Sequence, residues 1–488
     1  MATPSVKKNF AYSMLYQILD IIVPIIMAPY LSRVLGADMV GVQSYTASVQ
    51  TYFLLVAALG TQSYGTREIS RNRDNIKVCS KLFWEIELMS IATSMATLAA
   101  WILLIVLSPT YRIFYLVMIP SILGSMLNIT WFFNGLEKFK LTVISNIFFR
   151  LAGIVLMFAF VREKSDVVIH VAILSLINLL SSASLWIYIP KLTVKVSFGE
   201  LKIAEHLKQT LAYFIPTIAT SIYTVLDKTL IGLITKDSTQ NGFYEQAENV
   251  IRVANKISYA GINAVVGVRI SYLFMENKIE EIHNRIENSM NFIFFMGVGC
   301  ACGLSAIAKR FVPFFFGAGY EGVEYLLYVL CPISVIVGVS NCMGSHYYTP
   351  SGRRAQSSKY LIVGSCVNFV MNLCLIPYLQ AIGAAIATVV AELTITMLYV
   401  RNSNNYMSLK LLVQIGWKKI IAGICMLAVV YKMGDLFNIT EIVVILVQIC
   451  MGVGVYILVL YLLKDRWTTR YIHVMLNSVN GKGRSNKG

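Results

Sequence analysis

Along the chain, apolar runs of about twenty residues alternate with short polar breaks. They centre near residues 20, 54, 94, 122, 151, 178, 222, 258, 301, 336, 368, 391, 424 and 451. A helix needs about 20 mostly apolar residues to cross a bilayer. The pattern therefore predicts an all-α polytopic membrane protein of about fourteen transmembrane helices. The runs centred at 54 and 258 are the most polar. They open with "VGVQSYTASVQ" (40–50) and "NGFYEQAENVI" (241–251), which resemble each other. The entries "VKKNFAYSMLYQIL" and "HLKQTLAYFIPTIA" also read alike, each basic and then aromatic. Together they point to an internal repeat of six spans. An even repeat inserts both copies in the same direction, around a two-fold along the membrane normal, as alternating-access transporters do. The expected organisation is an N-terminal six-helix lobe (1–190), a linking loop (191–209), a second six-helix lobe (210–401), and two further helices with a basic tail (402–488).

Composition agrees. The chain is 57% apolar and 14% charged, with a mean hydropathy of +0.67, whereas a soluble domain is about a quarter charged. The net charge of +16 follows topology. Of 41 lysines and arginines, 28 lie at the termini or in the loops that fourteen spans place on the same side. The positive-inside rule makes that side cytoplasmic, both termini included, and this accounts for the charge without a nucleic-acid partner. The first twenty residues lack the small-residue cleavage site of a signal peptide, so the first apolar run is expected to stay as a span. Nine cysteines and five histidines are scattered, with no metal-ligand spacing. No P-loop, GxSxG or HExxH motif occurs, so no metal, cofactor or ATP site is expected. Outer loops of no more than about a dozen residues (counted against a span of about 20) leave no room for the catalytic domain of a membrane glycosyltransferase.

Charges inside the spans carry the candidate chemistry, because ionisable side chains in a bilayer turn towards the bundle interior or a wet cavity. Glu245, Glu248, Arg252 and Lys256 share one helical face, widened by Asn249, Asn255 and Tyr259. Gln43, Tyr45 and Gln50 offer amides and a ring in the second span, for sugar contacts or for helix packing. Isolated charges are Asp20, Arg150 and Glu392. Asp227 and Lys228 stand side by side in "SIYTVLDKTLIGLIT" (221–235). Lys228 is expected to snorkel to the outer surface. Asp227, too short to do so, is expected to serve as the resting counter-ion of Arg252 until an anionic ligand displaces it.

Three stretches are similar to Wzx-type polysaccharide repeat-unit flippases of the multidrug/oligosaccharidyl-lipid/polysaccharide (MOP) superfamily. They are "PYLSRVLGADMVGVQSYTASVQTYFLLVAALGTQSYGTREISRNRD" (29–74), "FIPTIATSIYTVLDKTLIG" (214–232) and "SGRRAQSSKYLIVGSCVNFVMNLCLIPYLQAIGAAIATVVAEL" (351–393). The family often places a proline before Arg-(Ile/Leu)-Ser at the end of the eighth span; here Val268 precedes Arg269-Ile270-Ser271. The resemblance implies a V-shaped bundle in the bacterial inner membrane that flips an undecaprenyl-pyrophosphate-linked oligosaccharide. It casts Arg252, Lys256 and Arg150 as substrate-binding cations. Gln43, Tyr45, Gln50, Asn249, Asn255 and Tyr259 become sugar contacts, and Asp20, Asp227, Glu248 and Glu392 coupling or ion-pair carboxylates. The implied partners are the lipid-linked glycan, the bilayer, a coupling cation (H+ or Na+) and a polysaccharide polymerase. A multidrug exporter or a lipid II flippase of the same superfamily is the alternative.

Overall fold

Each of the fourteen centres falls within a helix, but several of the helices are broken. A computed structural model describes residues 6–434 and 440–471, with the side chains of 6–17, 20, 198, 215–224, 257 and 260–268 outside the description. Helix α1 (Val6–Ala58) is two helices meeting at Gly36, whose φ of 76° lies in the left-handed region. Glycine adopts that conformation without a Cβ penalty. An amphipathic α2 (Thr61–Asn72) leads to α3 (Ile76–Leu107), where the Asn75 side chain accepts from the Lys77 and Val78 amides. The fourth span is split into α4 (Arg112–Val117), α5 (Ile119–Met126) and α6 (Thr130–Gly135). After α7 (Phe139–Phe160) come α8 (Val167–Ser184), the short α9 (Ile189–Leu192) and α10 (Ile203–Thr235). Next is α11, one helix from Ser238 to Met275, followed by α12 (Ile279–Phe316). The pair α13 (Glu321–Leu330) and α14 (Ile333–Met343) is bent by 43°. Helix α15 (Arg354–Arg401) breaks at Gln380, a non-glycine held at φ 51°. It is followed by α16 (Leu409–Gly434) and α17 (Glu441–Leu462). Among the described residues, nine helices are long and apolar enough to cross a membrane, or ten if the bent pair is one span.

The chain divides into two compact units, 1–245 and 246–488. In the first, α5 and α7 pack on α8, and α10 packs on α1, α2 and α3. Its core holds Phe83 against Trp131, Phe132 and Trp186. The start of α10 is tied down by His206, which pairs with Glu85 at 3.0 Å and bonds Tyr64 Oη at 2.6 Å. In the second unit, α12 packs on α14, α16 and α17. There Lys419, with no exposed surface, donates to Asp465 (3.2 Å), Asn291 (3.0 Å) and the Ile415 carbonyl (2.9 Å). Large apolar side chains such as Phe148, Val155, Val413 and Leu446 are exposed on the outside, as a lipid-facing wall requires.

Candidate functional site

The polar stretches 40–50 and 241–251 meet. A Cβ added at Gly41 would run into the carbonyl oxygen of Ser238, and one at Gly242 into that of Ala37. The two backbones therefore touch, and only glycine leaves room for this approach. A seam of polar side chains extends from the contact. Ser44 Oγ donates to Glu245 Oε2 at 2.6 Å, and Lys228 Nζ reaches the same oxygen at 2.5 Å. Asn241 Nδ2 donates to the Lys228 carbonyl at 2.8 Å. Tyr244 Oη donates to Asp227 Oδ2 at 2.5 Å. Ser48 and Tyr52 share Thr229 Oγ1, at 2.9 and 3.1 Å.

The adjacent Asp227 and Lys228 thus lead to different neighbours, as consecutive positions on a helix must. Both are buried, at 5% and 9% exposure. Lys228 does not snorkel; its ammonium is paired with Glu245, and a buried charge is tolerated when its partner and hydrogen bonds are both supplied. Tyr244 is a partner for Asp227 that the sequence reading did not foresee. Replacing Tyr244 with phenylalanine should remove a charge-assisted bond of about 1.5–3 kcal/mol. The purified variant should melt several degrees lower, and an unchanged midpoint would show the bond contributes nothing.

Along α11 in the second unit, Arg252 pairs with Glu248 at 3.1 Å, and its side chain is half exposed. Lys256 and Asn249 are half-buried. Asn255 is buried, and its Oδ1 has no hydrogen-bond partner among the described residues. The half-buried Tyr259 lies close enough to Glu392 to feel its charge. At 1.5 Å per residue this face runs for about 16 Å.

The other expected site residues are spread through the first unit. Arg150 lines a cavity of 380 Å³ with Asn128, Thr130, Asn146, Asn178 and Ser181, beside the break between α5 and α6. Gln50 is buried and donates to the Met118 carbonyl at 2.9 Å, a bond between helices. The Tyr45 ring packs on Tyr111, 5.1 Å between centroids, while Gln43 is half-buried. Asp20 lies on α1, but its side chain is outside the described residues. Two acidic residues of α3 escaped the sequence reading. Glu85 holds His206, and Glu87 is fully buried with no basic group within 4 Å among the described residues. Their only signal was "WEIELMS", a charged start to an apolar run that reads as an interfacial helix end. No group of three His, Cys, Asp or Glu side chains suited to a metal occurs among the described residues.

Residues 6–268 match the polysaccharide biosynthesis protein family. The chain belongs to that family. This polysaccharide biosynthesis protein is 26% identical over 407 residues to a protein of Escherichia coli K12 named as an O-antigen transporter, covering 82% of its own length and 97% of the relative's. Over 243 residues, about half of each chain, it is 21% identical to a protein of Haloferax volcanii named as a flippase of low-salt glycan biosynthesis. Among solved structures, the lipid II flippase MurJ in an inward closed conformation matches 91% of this chain and 99% of its own, with a TM-score of 0.65 at 15% identity. An inward-facing multidrug resistance transporter of the MATE family, within the MOP superfamily, matches 86% and 96%, with a TM-score of 0.60 at 12% identity. These likenesses establish the fold of the family member: an all-α, multi-pass membrane protein of the MOP type.

Proposed function

We propose that this chain is a flippase that moves an undecaprenyl-pyrophosphate-linked oligosaccharide from the cytoplasmic to the outer leaflet of the bacterial inner membrane, for surface polysaccharide assembly. The observation that carries the reading is the polar face of α11. Within an apolar bundle it presents Arg252 and Lys256 beside Asn249, Asn255 and Tyr259. Such a cargo has three unlike parts. Its lipid tail stays in the bilayer, its pyrophosphate needs cations, and its sugars need amides, hydroxyls and rings. The planar guanidinium of Arg252 matches two phosphate oxygens at once, and Lys256 adds a point charge. Glu248 serves as the resting counter-ion of Arg252, which a more highly charged pyrophosphate displaces. The relative named as an O-antigen transporter, aligned along 97% of its length, supports the same cargo class.

No covalent chemistry is asked of the chain; it is a transporter and not an enzyme. In our reading it crosses the membrane fourteen times with both termini cytoplasmic, following the lysine and arginine bias. Asp20, Asp227, Glu248 and Glu392 are the candidates for coupling transport to H+ or Na+, and a polysaccharide polymerase receives the flipped unit. A multidrug exporter of the same fold would want an acidic, aromatic cavity, whereas the cations of α11 suit an anionic cargo.

The test is export in a bacterium whose own repeat-unit flippase has been deleted. The wild-type chain should restore surface polysaccharide when the matching glycan is made. Arg252→Ala with Lys256→Ala should abolish it at unchanged protein level, and Arg252→Lys should export less than wild type because ammonium cannot bind two oxygens in parallel. Normal export by the double variant would overturn the reading of α11.

A further inference from the structure

We propose that the loop end of the second unit carries a docking site for a glycosyl diphosphate. Three loops meet there: the turn between α11 and α12, the turn before α15, and the segment between α15 and α16. Each reverses through a left-handed residue, Asn277 (φ 53°), Gly352 (φ 75°) and Asn404 (φ 50°). Between them lies a cavity of 470 Å³, lined by Phe274, Tyr347, Tyr406, Arg353, Asn277 and Asn404 among others. Small-molecule pockets occupy roughly 300–1,000 Å³. The space therefore suits one sugar with its diphosphate and is too small for a whole multi-sugar unit.

The lining matches that chemistry. The Tyr347 and Tyr406 rings stand 4.8 Å apart between centroids, and Phe274 is 5.9 Å from Tyr406. His283 stacks on Tyr406 at 4.5 Å and an interplanar angle of 10°, which fixes that ring. The half-buried Tyr406 and Phe274, backed by the buried Tyr347, offer fixed ring surface to the apolar C–H face of a pyranose. Asn277 and Asn404 carry both donors and acceptors for its hydroxyls. The Arg353 guanidinium sits over the Tyr347 ring, 5.7 Å from the centroid. Among the described residues no carboxylate lies within 4 Å of it, since Glu276 is paired with Lys278 and Glu281 with Arg285. A cation held in place by a ring, with no acid beside it, is ready for an anion, and its fork fits a diphosphate.

The proposal deepens the flippase reading and rests on it for orientation, because that reading puts these loops on the cytoplasmic side, where cargo is loaded. A soluble nucleoside-diphosphate sugar carries the same group, so two probes are compared. The full chain in nanodiscs is titrated with undecaprenyl-pyrophosphoryl-N-acetylglucosamine and with UDP-N-acetylglucosamine. All measurements use the Arg252→Ala/Lys256→Ala background, so that the α11 cations contribute nothing. Arg353→Gln should weaken binding about tenfold or more, the scale of a lost bidentate charge-assisted contact, and Arg353→Lys should fall between. Elution profile and melting midpoint show whether each variant is folded. Loss for the lipid probe identifies the cargo as the source; loss for the nucleotide sugar alone keeps the site and assigns it a soluble ligand. Unchanged affinity for both in a folded Arg353→Gln protein overturns the proposal. Polysaccharide export by the otherwise wild-type chain is scored separately, so the docking site and the flippase reading can fail independently.

Discussion

Lys419→Met should destabilise the second unit by about 3–5 kcal/mol, the range for removing one partner of a buried ion pair. All three ammonium donors of Lys419 are used, on Asp465, Asn291 and the Ile415 carbonyl. Methionine fills similar space but leaves Asp465, only 6% exposed, without its cation. The Thr468 amide (3.0 Å) and hydroxyl (2.8 Å) would remain as its only support. A second change, Asp465→Leu, should recover most of the loss, because the penalty belongs to the orphaned charge and not to the missing bond. Thermal unfolding of the two variants checks this, and equal melting of the single and double variants would refute it. Acid should act on the same pair. Burial alone raises the Asp465 carboxyl, but the Thr468 amide, Lys419 and the Thr468 hydroxyl outweigh it and hold the group below its usual value of 3.8. The pair's contribution is thus complete above that value and is lost as pH falls through the lower native pKa. The wild type should lose more stability there than the double variant, which keeps only the acid sensitivity of the other ion pairs.

Gly242→Val should be at least as damaging, at about 4 kcal/mol or more, and is expected to prevent accumulation of folded protein. Only a few mechanisms reach that size, overpacking among them. Here the obstacle is the Ala37 carbonyl oxygen, a backbone atom inside a helix that cannot rotate aside. Relief requires α1 and α11 to separate, which also pulls Ser44 away from Glu245. Gly41→Val should behave alike, since its new side chain meets Ser238 and Gly242 backbone. Gly454→Ala is the matched control: no atom beyond its own stretch of helix backbone lies within 4 Å of the added carbon, and alanine gains up to about 1 kcal/mol of helix propensity. Yield of monodisperse protein measures all three. Normal yield of Gly242→Val would mean the close crossing is dispensable.

The helices and the polar character of α11 were legible because hydropathy and 3.6-residue spacing are local. So was the shared face of Glu248 and Arg252, four residues apart, although Asp227 and not Glu248 was the expected counter-ion. What could not be read was every pairing set by how two helices cross. Lys228 meets Glu245 seventeen positions on, because α10 and α11 form a hairpin whose register depends on the turn at Lys236. Gln50 was equally ready for a sugar or a helix, and only the position of the Met118 carbonyl, freed where α4 gives way to α5, decides its present bond. Glu85 and Glu87 were missed because a carboxylate near a helix start looks solvated until Trp131 and His206 are packed over it. The break at Gly36 was legible too, midway between the runs centred at 20 and 54 and flanked by Arg33 and Asp38, but its left-handed geometry inside an otherwise helical stretch was not.

The contact at Gly41 and Gly242 is reciprocal. Gly41 faces the Ser238 carbonyl, about four residues before Gly242, and Gly242 faces the Ala37 carbonyl, at the same spacing before Gly41. Position for position, each stretch does to the other what the other does to it. That exchange is the mark of an isologous interface, in which a surface meets its own copy across a dyad. In an unduplicated ancestor working as a homodimer, one glycine would have satisfied both sides, and a single mutation would have struck the contact twice. On the internal-repeat reading, fusion of the two copies lets each side drift alone. Alanine could then stand at 37 and serine at 238, and an acid appear at 245 where its counterpart, at 44, is a serine.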